Sequence, residues 1–139
     1  MKLVVDTNVL VSAFLWQGNP GRLIELAAEK EIQLFTNRAL LDELAATLVK
    51  KKLAKPVVAT GLTVEQMLRN HRRLATLVTT RQLAQLVSRD PDDDSVLACA
   101  LAASADLIVS GDDDLLVLKY FQGIPIATPA QALRVIGAT

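Results

Sequence analysis

The chain has 139 residues, 51% hydrophobic and 22% charged, which predicts a single soluble domain over residues 1–139 that is large enough to bury a core. Lys plus Arg and Asp plus Glu each number 15, so the net charge is zero and gives no global indication of a polyanionic partner. The lone cysteine, Cys99, excludes an internal disulfide and favours a reducing, cytoplasmic location, and no apolar run is long enough to span a membrane.

The first elements alternate between strand and helix patterns. Residues 2–5 form a short apolar, partly β-branched run, which predicts a buried strand ending at Asp6. Thr7 or Asn8 is then expected to cap a helix that runs to about residue 15. Breaker residues follow, and helical spacing of apolar residues predicts a second helix over about 20–30.

The middle of the chain continues this alternation less clearly. Residues 32–35 are a plausible second strand, and the apolar stripe over 39–50 predicts a helix with Glu43 near its start. The spacing Thr63-x-x-Gln66 predicts a capping box that opens a helix to about residue 77. His71, among arginines on that helix, is expected on a solvated face. Residues 83–87 fit either a short strand or a helical turn.

Acidic residues concentrate in the last third. Asp90-Pro91-Asp92-Asp93-Asp94 begins a predicted helix, and residues 107–109 have the composition of a fully buried strand. Ser110, Gly111 and Asp112 follow it, with a short helix expected over 112–116. Residues 124–126 contain a proline and are predicted to form an edge strand. A last helix, capped by Thr128 and with Pro129 in its first turn, is expected to run to 136.

The alternation of strands and helices predicts an α/β fold, a three-layer α/β/α sandwich with a central parallel sheet. Parallel sheets carry their sites at the carboxyl edge of the strands, so the acids at strand ends and helix starts are expected to converge there. These acids come from four segments and are Asp6, Glu43, Asp93 or Asp94, and Asp112.

Carboxylates brought this close repel one another unless a cation neutralises them, and an oxygen-only set favours Mg²⁺ or Mn²⁺ over zinc. Such an ion can activate water and bind a phosphate oxygen, which predicts phosphodiester hydrolysis. Thr7, Asn8 and Ser110 could orient the ligands. For each acid taken alone a structural role is equally plausible, since Asp is favoured at helix starts and Asp113 and Asp114 could form a solvated turn.

Four segments in order resemble the PIN-domain family, and more narrowly the VapC-like toxin ribonucleases of toxin–antitoxin pairs. The resemblance covers nearly the whole chain and implies a metal-dependent ribonuclease, usually homodimeric, that cleaves RNA and is held inactive by a small antitoxin. By position, Asp6, Glu43, Asp93 and Asp112 match the family's acids; Asp94 is the alternative third acid, and Asp114 resembles a further acid that some members add. The matching segments are Val4-Val5-Asp6-Thr7-Asn8-Val9-Leu10, Glu43, Asp90-Pro91-Asp92-Asp93, and Ser110-Gly111-Asp112-x-Asp114-Leu115-Leu116.

Two other classes of function are considered. A receiver-type signalling domain also binds Mg²⁺ at this edge, but it needs an acid pair after the first strand, and Asp6 is followed by Thr7. A PIN-like interaction domain without catalysis is the other, and the presence of all four acids argues against it. For the homodimer, the apolar residues of the 63–77 helix, including Met67, together with Phe14 and Trp16, are the expected contact surface.

Overall fold

The computed structural model describes residues 1–80 and 91–137, and within those ranges the chain forms a six-stranded sheet. The strands lie in the order β3-β2-β1-β4-β6-β5, and all neighbours are parallel except β5, which pairs antiparallel with β6. The predicted α/β fold with a central sheet is confirmed, and the sheet is mostly rather than wholly parallel. The strands are β1 (Lys2–Val5), β2 (Gln33–Thr36), β3 (Ala75–Leu77), β4 (Leu107–Val109), β5 (Tyr120–Phe121) and β6 (Ile124–Ala127).

Eight α-helices connect and cover these strands in the described part of the chain. A short 3₁₀-helix (Lys51–Leu53) runs directly into the fourth of them. No helix in the described ranges is long and apolar enough to cross a bilayer. The helices are α1 (Thr7–Leu15), α2 (Gly18–Ala28), α3 (Arg38–Leu48), α4 (Ala54–Ala59), α5 (Val64–Leu74), α6 (Pro91–Ala103), α7 (Asp113–Leu116) and α8 (Pro129–Ile136).

Side chains of the central strands alternate between the two faces of the sheet, because successive residues of a strand point to opposite sides. In β1, Leu3 and Val5 belong to one buried cluster and Val4 to the other. The first cluster is completed mainly by α1, α2, α3 and α8, and the second by α6 and α7. Helices therefore cover both faces, which is why β1 and β4 are apolar at every position but Lys2.

The chain order reverses beside β1. From β1 the sheet grows through β2 to β3 on one side, and through β4 to β6 on the other. The backbone N–H of Asp6 donates to the carbonyl oxygen of Val109 at 2.9 Å, so β1 and β4 stay paired up to their carboxyl ends. In open parallel sheets, this switch point between diverging connections is where ligands bind.

Two predictions about elements are corrected by the structure, and a third lies outside the described residues. The helix expected over 63–77 ends at Leu74, because residues 75–77 turn extended and pair with β2 as edge strand β3. Residues 124–126 are not at the edge, because β5 pairs with them on the side away from β4. Pro125 is tolerated there since pairing with β4 begins only at Ile126. Residues 83–87 lie outside the described residues.

Three side chains also differ from expectation. The N-cap of α1 is Asp6 rather than Thr7 or Asn8, and the Asp6 carboxylate makes no cap hydrogen bond. His71 is buried instead of solvated, because it shares the inward face of α5 with Met67 and its ring meets Phe14 edge-on. Met67 is itself part of the core, so it cannot belong to a contact surface between subunits.

The predicted capping box at Thr63 with Gln66 is confirmed, and the predicted Thr128 cap of α8 is also a capping box, with Gln131. In each, the threonine hydroxyl accepts from the glutamine N–H while the glutamine side chain accepts from the threonine N–H. Cys99 is fully buried, as the apolar pattern of α6 predicts, and burial raises the pKa of its thiol to about 12. The helix caps could be predicted from the sequence because their hydrogen bonds join residues within four positions of one another.

Candidate metal centre

Three carboxylates meet at the switch point of the sheet. Asp6 follows β1 directly, Asp93 lies in the first turn of α6, and Asp112 caps α7 three residues after β4. One carboxylate oxygen from each residue lies within 4.8 Å of the others. Asp6 is 5% exposed, Asp93 is 3% exposed and Asp112 is half-buried, so the group opens to solvent on the Asp112 side.

A single hydroxyl links two of these acids. The Oγ–H of Ser110, which is fully buried, donates to Oδ2 of Asp6 at 2.8 Å. Oγ of Ser110 also accepts a hydrogen bond from the backbone N–H of Asp112, at 3.0 Å. Ser110 therefore fixes both the orientation of the Asp6 carboxylate and the path of the chain that brings Asp112 towards it.

The Asp112 carboxylate is oriented in a second way. Its Oδ1 accepts the backbone N–H of Asp114 at 2.9 Å, which is the N-cap hydrogen bond of α7. Because α7 packs Leu115 into the core with no exposed surface, the cap ties Asp112 to a well-anchored turn. Helix capping and metal binding are compatible, since a carboxylate has lone pairs on both oxygens.

The chemistry of this donor set fits a divalent cation. Three like charges at this separation, two of them buried, are mutually repulsive, and a cation offsets that repulsion. All three donors are carboxylate oxygens, which hard cations prefer. Thr7, the residue after Asp6, has a buried hydroxyl with no hydrogen-bond partner among the described residues.

The other predicted acids lie outside this group of three. Glu43 is half-buried on the second turn of α3, the helix that begins where β2 ends. Asp94 is buried beside Asp93 in the chain, and Asp114 is half-buried in α7. Asn8 is exposed and borders a cavity of about 270 Å³ that adjoins Asp112.

Sequence reasoning did not identify one polar residue of that cavity, Ser12. Ser12 and Gly111 line it with Asn8 and Asp112. The signal for Ser12 was present, because it is four residues after Asn8 on α1 and thus on the same helix face. A Cβ on Gly111 would meet nothing within 4 Å, so the wall beside Asp112 is open space rather than packed structure.

Comparison with known proteins agrees with this geometry. The family model described as PIN domain matches residues 2–114, a range that includes all three clustered acids. The chain is also similar to an uncharacterized protein of Methanocaldococcus jannaschii, with 29% identity over 129 residues covering 86% of this chain and 76% of the relative. That relative's description names no activity.

Proposed function

The chain belongs to the PIN-domain family, and from this we propose that it is a Mg²⁺- or Mn²⁺-dependent endoribonuclease that hydrolyses phosphodiester bonds in RNA. The observation that carries the proposal is the meeting of Asp6, Asp93 and Asp112 at the switch point of the sheet. Three separate elements supply these acids, so their convergence is a property of the fold rather than of one acidic loop.

Each residue has a definable task in this proposal. Asp6, Asp93 and Asp112 hold the cation, and Ser110 keeps the Asp6 carboxylate turned towards it. When bound, a divalent cation activates a water and neutralises charge on the phosphate oxygens. The half-exposed side at Asp112 leaves an approach for a polymeric substrate. The remaining predicted acids, Glu43, Asp94 and Asp114, are kept as additional ligands in the proposal.

The test is cleavage of RNA by the purified protein with Mg²⁺, with Mn²⁺, and with EDTA. We expect cleavage with either metal, none with EDTA, and none from Asp6→Asn with metal present. A Glu31→Gln variant is the matched control, because it removes one exposed acidic charge outside the group of three. If the wild-type protein binds neither metal nor RNA and cleaves nothing, the proposed function is wrong.

The biological setting is a further proposal that the resemblance to VapC-like toxins supports. In it the protein acts on cytoplasmic RNA as the toxin of a pair and is held inactive by a small antitoxin protein. Induced expression in a bacterial host should then arrest growth, and the Asp6→Asn variant should not. Normal growth with active, soluble enzyme in the cell would contradict the toxin role while leaving the nuclease activity intact.

We also propose a homodimer. Met67 is excluded from its surface by burial, but Trp16, at the end of α1, is 59% exposed. Covering so exposed a tryptophan removes a large apolar area from water. Trp16 is therefore a candidate anchor residue between two copies of the chain.

A further inference from the structure

Asn37 makes contacts that its position as a helix cap does not require. It lies between β2 and α3, is 1% exposed, and its Oδ1 accepts the backbone N–H of Leu40 at 2.8 Å. Its Nδ2 donates to the backbone carbonyl of Ser95 in α6 at 3.1 Å and lies 3.4 Å from Oγ1 of Thr80. The side-chain oxygen therefore bonds to the neighbouring backbone, and the side-chain nitrogen contacts segments that are distant in sequence.

The orientation of this amide is fixed by its neighbours. The Leu40 N–H can only donate and the Ser95 carbonyl can only accept. Exchanging the oxygen and nitrogen of Asn37 would place donor against donor and acceptor against acceptor. The positions of the Leu40 N–H and the Ser95 carbonyl therefore require that Nδ2, and not Oδ1, faces α6.

Capping alone does not select asparagine here. Ser and Asp cap helices about as well as Asn, Thr caps them somewhat less well, and this chain uses Thr63 and Thr128 for α5 and α8. Those two hydroxyls accept from the local backbone three residues ahead. Only the amide offers, besides the capping oxygen, an N–H₂ group that reaches a second helix.

The bonded carbonyl belongs to the part of α6 that carries the third acid. Ser95 is two residues after Asp93, within the first two turns of the helix. The rest of α6 is held by apolar side chains that are fully buried against the sheet, Val96, Leu97, Cys99 and Ala100. Apolar packing is non-directional, so it resists separation from the sheet better than sliding or rotation of the helix. A hydrogen bond at a defined carbonyl constrains both motions.

The repulsion within the acidic group acts on the same turn. Asp93 lies within 4.8 Å of two other carboxylates, and without a cation this drives the start of α6 away from the ends of β1 and β4. We propose that Asn37 is a positioning residue that holds the first turns of α6 in place, so that Asp93 is set to share a divalent cation with Asp6 and Asp112. This inference rests on the proposed function, since it assigns Asn37 to the same centre.

Asn37→Ser separates the two roles of the side chain. Serine retains a capping oxygen for the Leu40 N–H and lacks the N–H₂ group that reaches Ser95. Thr63→Ala is the control, because it removes a cap bond at the start of α5, a helix that carries none of the three clustered acids. Titration of Mn²⁺ by calorimetry gives affinity, and urea unfolding with EDTA gives stability. If the serine variant does not fold, Asn37→Thr, which also keeps a hydroxyl, takes its place.

For Asn37→Ser we expect Mn²⁺ affinity to fall about 10-fold or more, in the range that orienting residues around a metal contribute. RNA cleavage should need a correspondingly higher Mg²⁺ concentration and recover near the wild-type rate at saturating metal. Thr63→Ala should lower the urea midpoint and leave Mn²⁺ affinity unchanged.

Wild-type Mn²⁺ affinity in the serine variant would show that Asn37 is a cap only, and the nuclease proposal would stand. Equal losses of affinity in the Thr63→Ala control would also overturn the inference, since affinity would then follow general stability. Failure of the wild-type protein to bind Mn²⁺ would instead remove the proposed function, and with it this role for Asn37.

Discussion

The Ser110 hydroxyl lies 2.8 Å from Oδ2 of Asp6, across the paired ends of β4 and β1. Both side chains are buried, so the bond is shielded from competing water. It joins residues 104 positions apart in the chain. The orientation of Asp6 is therefore set by the folded sheet before any cation arrives.

Ser110→Ala should weaken the site without removing a ligand. The variant leaves the Asp6 carboxylate and the Asp112 N–H without the hydroxyl that joins them, so we expect stability to fall by about 1–3 kcal/mol. Metal affinity should fall about 10–100-fold, as for other groups that orient ligands. Mn²⁺ calorimetry and cleavage at limiting Mg²⁺ measure this. Thr60→Ala, which removes a hydroxyl bond to Val57, is the control, and cleavage at the wild-type rate in Ser110→Ala contradicts the prediction.

Asp6→Asn should abolish metal-dependent cleavage while leaving the metal-free protein at least as stable. The reason is that asparagine removes one of three mutually repelling charges. Added Mg²⁺ should raise the Tm of the wild-type protein and not that of the variant, because ligand binding to the native state stabilises it. Reduced stability in EDTA together with full ribonuclease activity would show that Asp6 is not a ligand.

Asp93→Asn should cost far more activity than Asp94→Asn. The sequence pattern left a one-residue ambiguity, and Asp93 is the residue whose oxygen joins Asp6 and Asp112. Loss of a direct ligand is expected to cost at least the ~10–100-fold that orienting residues cost. Comparison of kcat/KM for the two variants decides the order. Equal losses would mean that both carboxylates bind metal, and a reversed order would assign the role to Asp94.

The strands and acids that depend on local sequence patterns were predicted from the sequence. Short apolar runs indicated β1 and β4, and acids placed just after them led to the expectation that Asp6 and Asp112 converge. The alternation of elements was sufficient for this because it predicts parallel strands, whose carboxyl ends lie at one edge of the sheet. The same reasoning placed Asp93 at the start of α6.

What the sequence did not predict depends on contacts between distant segments. Residues 75–77 continue a helical pattern, and only pairing with β2 makes them a strand. His71 lies among arginines, so its burial was missed although its i,i+4 spacing from Met67 was a usable signal. The bond from Asn37 to Ser95 spans 58 positions and leaves no local pattern.

Association should depend on the exposed tryptophan. If two copies pack through the end of α1, light scattering across a dilution series should show a concentration-dependent dimer. Trp16→Ser should shift the monomer–dimer equilibrium towards monomer. It should not lower the free energy of unfolding of the monomer, since the Trp16 side chain is 59% exposed. Val135→Ser, at another exposed apolar position in α8, is the control. A protein that stays monomeric at high concentration, or a Trp16→Ser variant that dimerises normally, contradicts the proposed surface.

Stability should fall in mild acid because of His71, the chain's one histidine. Burial lowers the pKa of this side chain to about 4, whereas in the unfolded chain it has its ordinary value near 6.5. Between these values the unfolded chain binds a proton that the native protein does not, so the free energy of unfolding decreases as the pH falls from 6.5 towards 4. The full loss is about 3 kcal/mol, and above pH 6.5 the effect is absent.

His71→Phe isolates this contribution. Phenylalanine preserves an aromatic ring against Phe14, whose centroid lies 5.9 Å from that of His71, and it removes two buried nitrogens that have no hydrogen-bond partner among the described residues. Urea unfolding with EDTA at a series of pH values should give curves that separate below pH 6.5, with the variant losing less stability. Both proteins carry the same acidic residues, so any effect of those residues on stability cancels in the difference. Parallel curves down to pH 4 would mean that His71 is protonated in the native protein as readily as in the unfolded chain, and that its ring reaches water despite being only 2% exposed.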